Sequence, residues 1–389
     1  MPYTARSFAD LPDSRLAVLL LDDLASAMQP LHPVRPDRPI ALYGAGNLGL
    51  MARDFLKAIG QDFVLAVDKN AHAYAGRPDW NGVRLVHPDD VTESEKFTTR
   101  FAVSVVTSPY VPLKERLLTR GFGDVVPFYD LAESFRHLHP LSNGWFASPP
   151  SPLDRANIAQ VLANWHDDIS RAHHLQFLAW RMLREEWAFA SAPICNDNRF
   201  FIPEVTTILG GEDILLDAGA HHGAVAETFV RQTGAAYKEI IAIEPDPDNR
   251  ARLIERTRGL RDIKVIDCAL AEQDGEARFH GGLGYASQLA DTGRMRVATR
   301  RLDTLGFSPT FLKLHLEGAE LATLKGGRRT LLTGRPIVAA TVYHNDDGMW
   351  RTPLWLMETL PEYRFLFRMH SWCGTGAVVY AIPNERAGR

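Results

Sequence analysis

Residues 213–223 read Asp-Ile-Leu-Leu-Asp-Ala-Gly-Ala-His-His-Gly. Ile214, Leu215 and Leu216 form a short apolar run that stops at Asp217; Gly219 and Gly223 follow, and Ala224–Arg231 continues without a breaker. The pattern is a buried strand, a tight glycine turn and a helix. Glycine has no Cβ, so such a turn lets backbone come close to a ligand. The carboxyl end of the strand is where open α/β sheets bind theirs. A second apolar run, Glu239–Ile243, ends at Glu244, and a third, Lys264–Ile266, ends at Asp267 and Cys268. Three successive strand ends therefore carry polar groups beside one glycine turn.

Outward from this stretch, further strands are expected at Phe311–Leu314, Ile337–Val342, Tyr363–Arg368 and Ala377–Ile382. Helical segments separate the earlier ones, which points to a mostly parallel sheet. The last two, joined by a short glycine-containing turn, are placed to pair antiparallel. The N-terminal half repeats the pattern. Ile40–Tyr43 leads into Gly44-Ala-Gly46-Asn-Leu-Gly49, a helix carries Leu48, Met51, Phe55 and Ile59 on one face, and Phe63–Val67 ends at Asp68. Short strands at Val83–Val86 and Phe101–Val106 complete it. Pro140, Gly144, Pro149, Pro150 and Pro152 are linker chemistry. Residues 154–190 read as helical, with Trp165, Trp180 and Trp187 expected in a core between domains. The expected fold is α/β, with two Rossmann-like doubly wound sheets joined by a helical connector. Residues 1–36 form a helix and Pro-rich connector, 37–135 the first α/β domain, 136–199 the linker and helical connector, and 200–389 the second α/β domain.

The chain has 389 residues, 46% hydrophobic and 23% charged, with net charge −4. The balance argues against a general nucleic-acid binder. Cys195, Cys268 and Cys373 are far apart and odd in number. They form neither a disulfide framework nor a C-x-x-C metal pattern, which fits a reducing cytoplasm. The apolar run Leu16–Leu21 meets Asp22 and Asp23 at once, so it is read as neither a secretion signal nor a span of about 20 apolar residues. No metal ligand set is read from the sequence, and a homo-oligomer is left open.

The spacing D-x-G-x-x-x-G, followed by an acid after the next strand, suits S-adenosylmethionine better than a dinucleotide. On that reading Gly219 and Gly223 line the methionine end, and Asp217 orders the loop and meets the amino group. Glu244 accepts from both ribose hydroxyls, Asp267 meets the adenine amino group, and the Cys268 N–H meets the ring. His221 or His222 is in reach of the cofactor carboxylate. Tyr285 and Ser287, in the glycine-rich stretch 281–288, are substrate-contact candidates. Arg294, Arg296, Arg300 and Arg301 read as a solvated strand edge. In the N-terminal half, Gly44, Gly46, Gly49 and Asp68 mark a second candidate site, for NAD or another nucleotide. No Tyr-x-x-x-Lys pair accompanies it.

Residues 200–383 resemble the FkbM-type methyltransferases. The likeness rests on the 213–223 motif, on Val297-Ala-Thr-Arg-Arg-Leu-Asp-Thr-Leu, on Thr310-Phe-Leu-Lys-Leu-His-Leu-Glu-Gly-Ala-Glu-Leu-Ala-Thr-Leu-Lys-Gly, and on Arg335-Pro-Ile-Val with Val342-Tyr-His344. It implies a class I, S-adenosylmethionine-dependent O-methyltransferase acting on a hydroxyl of a sugar, glycan or related biosynthetic metabolite. The family has Lys-x-Asp-x-Glu-Gly at the fourth strand, whereas this chain has Lys313-Leu-His315-Leu-Glu317-Gly318. His315 is therefore a candidate base in place of an acid. Glu317 is a candidate substrate-binding or base-orienting group, and His344 a second candidate base. The alternative is an oxidoreductase or regulatory protein that binds NAD(P) or a nucleotide-sugar through its N-terminal domain and carries a non-catalytic methyltransferase-like half.

Overall fold

The structure is a computed structural model that describes residues 3–74, 76–141 and 146–386. Its C-terminal half is built on a seven-stranded sheet. The strands run, in spatial order, Ile263–Ile266, Glu239–Ile243, Ile214–Ala218, Phe311–Leu314, Ile337–Thr341, Ala377–Pro383 and Tyr363–Met369. The first five are parallel, and Ala377–Pro383 inserts antiparallel between its neighbours. The chain order reverses between Ile214–Ala218 and Phe311–Leu314, so the crevice for a ligand opens above those two strand ends. Buried Leu, Ile, Val and Ala fill both faces of the sheet, as parallel strands covered on both sides require.

The N-terminal half holds a five-stranded parallel sheet in the order Leu85–Val86, Leu65–Val67, Ile40–Tyr43, Arg100–Val103 and Asp124–Pro127. It too is doubly wound, with separate apolar clusters on its two faces. Helices Pro152–Asn164 and Asp168–Leu183 form the connector.

Two sequence expectations change. The first 36 residues are not a free-standing helix and linker. Thr4–Phe8 pairs in parallel with Glu185–Phe189, a strand lying inside the stretch read as helical. Helix Ser14–Ala27 then buries Ala17, Leu20, Leu21 and Leu24 in the same cluster as Trp165, Leu178 and Trp187. A five-residue strand at the end of a helix is hard to see in sequence, because its partner is some 180 positions away. The tryptophans are buried as expected, but on different faces. Trp165 and Trp187 pack beneath the C-terminal sheet, whereas Trp180 joins Phe122, Tyr110 and Cys373 in the N-terminal cluster. Gly144 of the linker lies outside the described residues.

A four-stranded sheet of Ala269–Leu270, Met295–Arg300, Gly275–His280 and Gln288–Leu289 is inserted in the chain between strands Ile263–Ile266 and Phe311–Leu314 of the large sheet. Arg296 is exposed on it and pairs with Glu276. The stretch 281–288 belongs to this unit, and Ala286 is buried in the N-terminal domain's own apolar cluster. It is thus clamped between the two halves of the molecule.

Candidate functional site

The glycine turn is fixed from below. Lys313 and Asp217 are register partners on adjacent strands, both fully buried, with Nζ 2.8 Å from Oδ1. The same ammonium donates to the carbonyls of Ala218 at 3.2 Å and Gly219 at 2.8 Å. Burial pushes the Asp217 carboxyl up, and Lys313 pulls against it. Asp217 lines neither the small cavity above the turn nor the cleft between the two sheets; it orders the loop through Lys313. Gly219 has φ +72°, and a Cβ there would stand 2.0 Å from the His315 carbonyl oxygen. Only glycine lets the turn cross the end of the His315 strand so closely. Gly223, at φ +83°, starts helix Ala224–Gln232 and would press on Leu253 and Thr257 if it carried a side chain. Its role is in packing, away from the cavity lining.

Above this turn lies a small cavity walled by Ile243, Leu270, Phe279 and Leu289, with Gly219, Glu244, Asn249 and Cys268 on its polar side. Glu244 accepts from the His221 N–H at 2.7 Å and the Asp246 N–H at 3.0 Å. It is 4% exposed, and burial raises its carboxyl pKa. The Cys268 thiol, pushed up to about 11 by burial, stays protonated at neutral pH. Asp267 departs from its expected place. Its side chain is 65% exposed and paired with Arg250 at 2.8 Å, turned to the rim and away from the cavity.

The roof is the 281–288 stretch. Asp246 caps helix Pro247–Thr257 through Oδ1. Its Oδ2 accepts from the Gly282 N–H and the Ser287 hydroxyl, both at 2.7 Å. Ser287 therefore pins the roof while also lining the small cavity. The Tyr285 ring stacks on His221 at 3.8 Å, and His221 on His222 at 3.6 Å. His221 Nε2 is buried without a hydrogen-bond partner, whereas His222 turns to Asn249.

At the end of the fourth strand, His315 Nε2 is 3.1 Å from the Tyr343 hydroxyl and 3.1 Å from Glu317 Oε1. Burial lowers the His315 pKa to about 3, so the ring is neutral. Glu317 sits in a turn at φ +51°, a left-handed conformation that costs a side-chain-bearing residue energy and recurs at functional sites. Its Oε1 is also 3.3 Å from His344 Nε2, and His344 Nδ1 is 2.8 Å from Glu320 Oε1. Burial opposes charging His344, but Glu317 and Glu320 outweigh it and raise its pKa well above the ordinary value. Burial likewise pushes both carboxyls up, and His344 overrides it, holding Glu320 at about 2 and Glu317 lower still. His344 is 2% exposed and lines neither cavity. It is not placed as a base; it is locked between two carboxylates. The sequence reading assigned no metal ligands, yet His315, Glu317 and His344 bring three ligand atoms within 4.8 Å of one another.

A larger cleft of about 840 Å³ opens between the two sheets. Tyr285, His315, Glu317, Tyr343 and Arg199 face it from one side, and Gly44, Gly46, Asn47 and Asp68 from the other. The N-terminal constellation is thus brought opposite the C-terminal one. Asp68 is engaged there: it accepts from the Ala45 and Asn70 N–H groups, each at 2.7 Å, and so braces its own glycine turn. Gly49 packs on the Gly44 carbonyl, which a Cβ would approach to 2.1 Å, and does not line the cleft. Arg199, which donates to the Tyr343 hydroxyl, went unnoticed in the sequence because no motif surrounds it. Tyr343 had a signal, since it ends a strand beside His344.

A reversed strand order, a glycine turn under the crevice and an acid at the end of the next strand define a Rossmann-like ligand-binding fold. Residues 217–367 match the methyltransferase FkbM domain, and this part of the chain is a methyltransferase domain. The 2-O-methyltransferase NoeI of Sinorhizobium fredii (strain NBRC 101917 / NGR234) is 25% identical over 193 residues, covering 42% of this chain and 77% of NoeI. The crystal structure of a methyltransferase FkbM from Methylobacillus flagellatus KT aligns with TM-score 0.60 at 16% identity, over 94% of this chain and 98% of that one. At that identity the likeness speaks for the fold, here across both halves of the molecule. Among the described residues, no helix is long and apolar enough to cross a membrane.

Proposed function

We propose that the protein transfers the methyl group of S-adenosylmethionine to a hydroxyl of a sugar, glycan or related metabolite held in the cleft between its two sheets. One observation carries this reading: Tyr285, His315 and Glu317 line both the small cavity and the large cleft. A donor in the first and an acceptor in the second would meet at those side chains. The small cavity suits the cofactor. Apolar walls accept an adenine, the Glu244 carboxylate retains lone pairs for a ribose diol, and the orphaned His221 Nε2 offers a partner to a polar group. The printed name of NoeI supports a hydroxyl as the acceptor.

The cofactor supplies an electrophilic methyl on a good leaving group. The chain's contribution is alignment and exclusion of water, with Tyr285 and its pinned loop as the cover. The acceptor hydroxyl meets His315 Nε2, and Glu317 at 3.1 Å steadies the charge as the proton leaves. Such help contributes roughly 10²–10⁴-fold. In the N-terminal domain, Gly46 stands open on the cleft, with nothing within 4 Å of where its Cβ would lie. That domain is assigned to the acceptor, a nucleotide-linked sugar being one candidate, and no hydride chemistry is assigned to it. The test is methyl transfer from labelled cofactor to a panel of nucleotide-sugars and glycans. Transfer to at least one, lost in His315→Ala while cofactor affinity persists, is expected. Cofactor binding without transfer to any hydroxyl compound would refute the assignment.

A further inference from the structure

We infer that His315, Glu317 and His344 form a binding site for one divalent transition-metal ion, of the zinc or manganese kind, at the floor of the interdomain cleft. Two imidazoles and a carboxylate are a donor set that suits such ions and disfavours magnesium or calcium. An ion about 2.0–2.1 Å from nitrogen and oxygen ligands in tetrahedral array holds those atoms roughly 3.3 Å apart. Here Glu317 Oε1 is 3.1 Å from His315 Nε2 and 3.3 Å from His344 Nε2, and all three atoms lie within 4.8 Å.

Two features beyond the cluster point the same way. His344 Nε2 is buried and makes no well-directed hydrogen bond, although Glu317 Oε1 is 3.3 Å away; an ion bound there takes the place of a proton on that nitrogen. The opposite ring nitrogen is held at 2.8 Å by Glu320 Oε1, the carboxylate–histidine pairing that orients metal-bound imidazoles. Glu320 is itself fixed by the Leu316 and Gly318 N–H groups at 2.9 Å and the Thr341 hydroxyl at 2.7 Å. A donor set so braced, with three protein ligands and an open side, has the form of catalytic rather than structural metal sites. The open side faces the cleft, where His315, Glu317 and Tyr343 are exposed to it.

The inference rests on the proposed function for its consequence. With an ion there, His315 Nε2 is a ligand and no longer the proton acceptor of the ion-free reading; an acceptor hydroxyl reaching the ion becomes more acidic and gives its proton to a water on the open side of the cleft, away from the covered cofactor cavity. An oxygen lone pair then forms the O–CH₃ bond as the S–CH₃ bond breaks, and the sulfur keeps the electron pair of the broken bond as a neutral thioether.

The full-length chain, stripped with chelator, is titrated separately with Zn²⁺, Mn²⁺ and Mg²⁺ by calorimetry, and with Co²⁺ by visible absorption. One Zn²⁺ or Mn²⁺ per chain and a Co²⁺ d–d spectrum are expected, with Mg²⁺ much weaker. Folded His344→Asn should lose the stoichiometric site, and Glu320→Gln should weaken it about 10–100-fold. A hydrogen-bonded cluster that binds no ion would give neither result. Absence of 1:1 binding, or binding unchanged in folded His344→Asn, overturns the inference. Should the variants misfold, an anomalous-scattering peak in a Zn²⁺-soaked wild-type crystal decides: bonded to the three residues it supports the site, elsewhere it refutes it. Ion binding without methyl transfer would uphold the site and count against the transfer reading alone.

Discussion

Glu244 is the side chain on which cofactor binding is most exposed to test. Its carboxylate is 4% exposed and holds two loop amides, from His221 and Asp246. Glu244→Ala therefore acts twice. It removes the acceptor for two ribose hydroxyls; hydrogen bonds to a charged group contribute about 1.5–3 kcal/mol each, so a loss of about 3 kcal/mol is the lower bound for the pair. At about 1.4 kcal/mol per decade, that is roughly a 100-fold rise in Kd. It also leaves two buried N–H groups without acceptors, at about 1–3 kcal/mol each. The free protein should thus unfold several degrees lower, independently of ligand. Calorimetric titration with S-adenosylmethionine reads the first effect and thermal unfolding without ligand the second. A variant that melts lower but binds as tightly as wild type would leave Glu244 as a loop brace and refute the cofactor assignment. Binding should also weaken as pH falls through the raised Glu244 pKa, because the protonated acid loses acceptor capacity.

Three further outcomes are expected. Lys313→Met strands the Asp217 charge, and breaking one partner of a buried pair costs about 3–5 kcal/mol; denaturant unfolding reads this, and the double variant with Asp217→Asn should recover much of it. Gly219→Ala sets a methyl 2.0 Å from the His315 carbonyl at φ +72°; cofactor affinity should fall at least tenfold by calorimetry, and an unchanged Kd would mean the turn is free to move. Glu186 sits 5% exposed beneath helix Tyr110–Thr119, accepting from the Val111 N–H at 2.8 Å, and burial pushes its carboxyl up to about 7 from 4.5. A raised acid penalises the fold once ionised, so the penalty is absent below pH 4.5, grows from there and is complete above 7. It amounts to about 3 kcal/mol. In Glu186→Gln the fall in stability between pH 4.5 and 8 should be smaller by about that amount, and parallel pH profiles would refute it.

The seven strands of the large sheet, four of the five in the N-terminal sheet (Asp124–Pro127 was missed), the glycine turn and the acid at position 244 were legible in the sequence because each is local. A buried parallel strand is a short apolar run, and a turn at φ +72° requires glycine within a few residues of it. Distant pairing was not legible. Asp217 reads as a ligand group until Lys313, 96 positions on, is seen to neutralise it; Asp267 reads as an adenine partner until Arg250 draws it to the rim. His344 reads as a base until Glu317 and Glu320 enclose it. Ser287 and Asp68 read only as ligand contacts in the sequence, whereas in the structure each also braces a turn. A polar side chain's role depends on which neighbours desolvate it and which satisfy it. Those neighbours come from other strands and from the facing domain. By itself the sequence determined two α/β sheets and a crevice with a glycine turn over one of them. Only the tertiary structure decided that the two glycine turns face one cleft and that three ligand atoms converge at its floor, because sheet packing, not chain order, sets which strand ends meet.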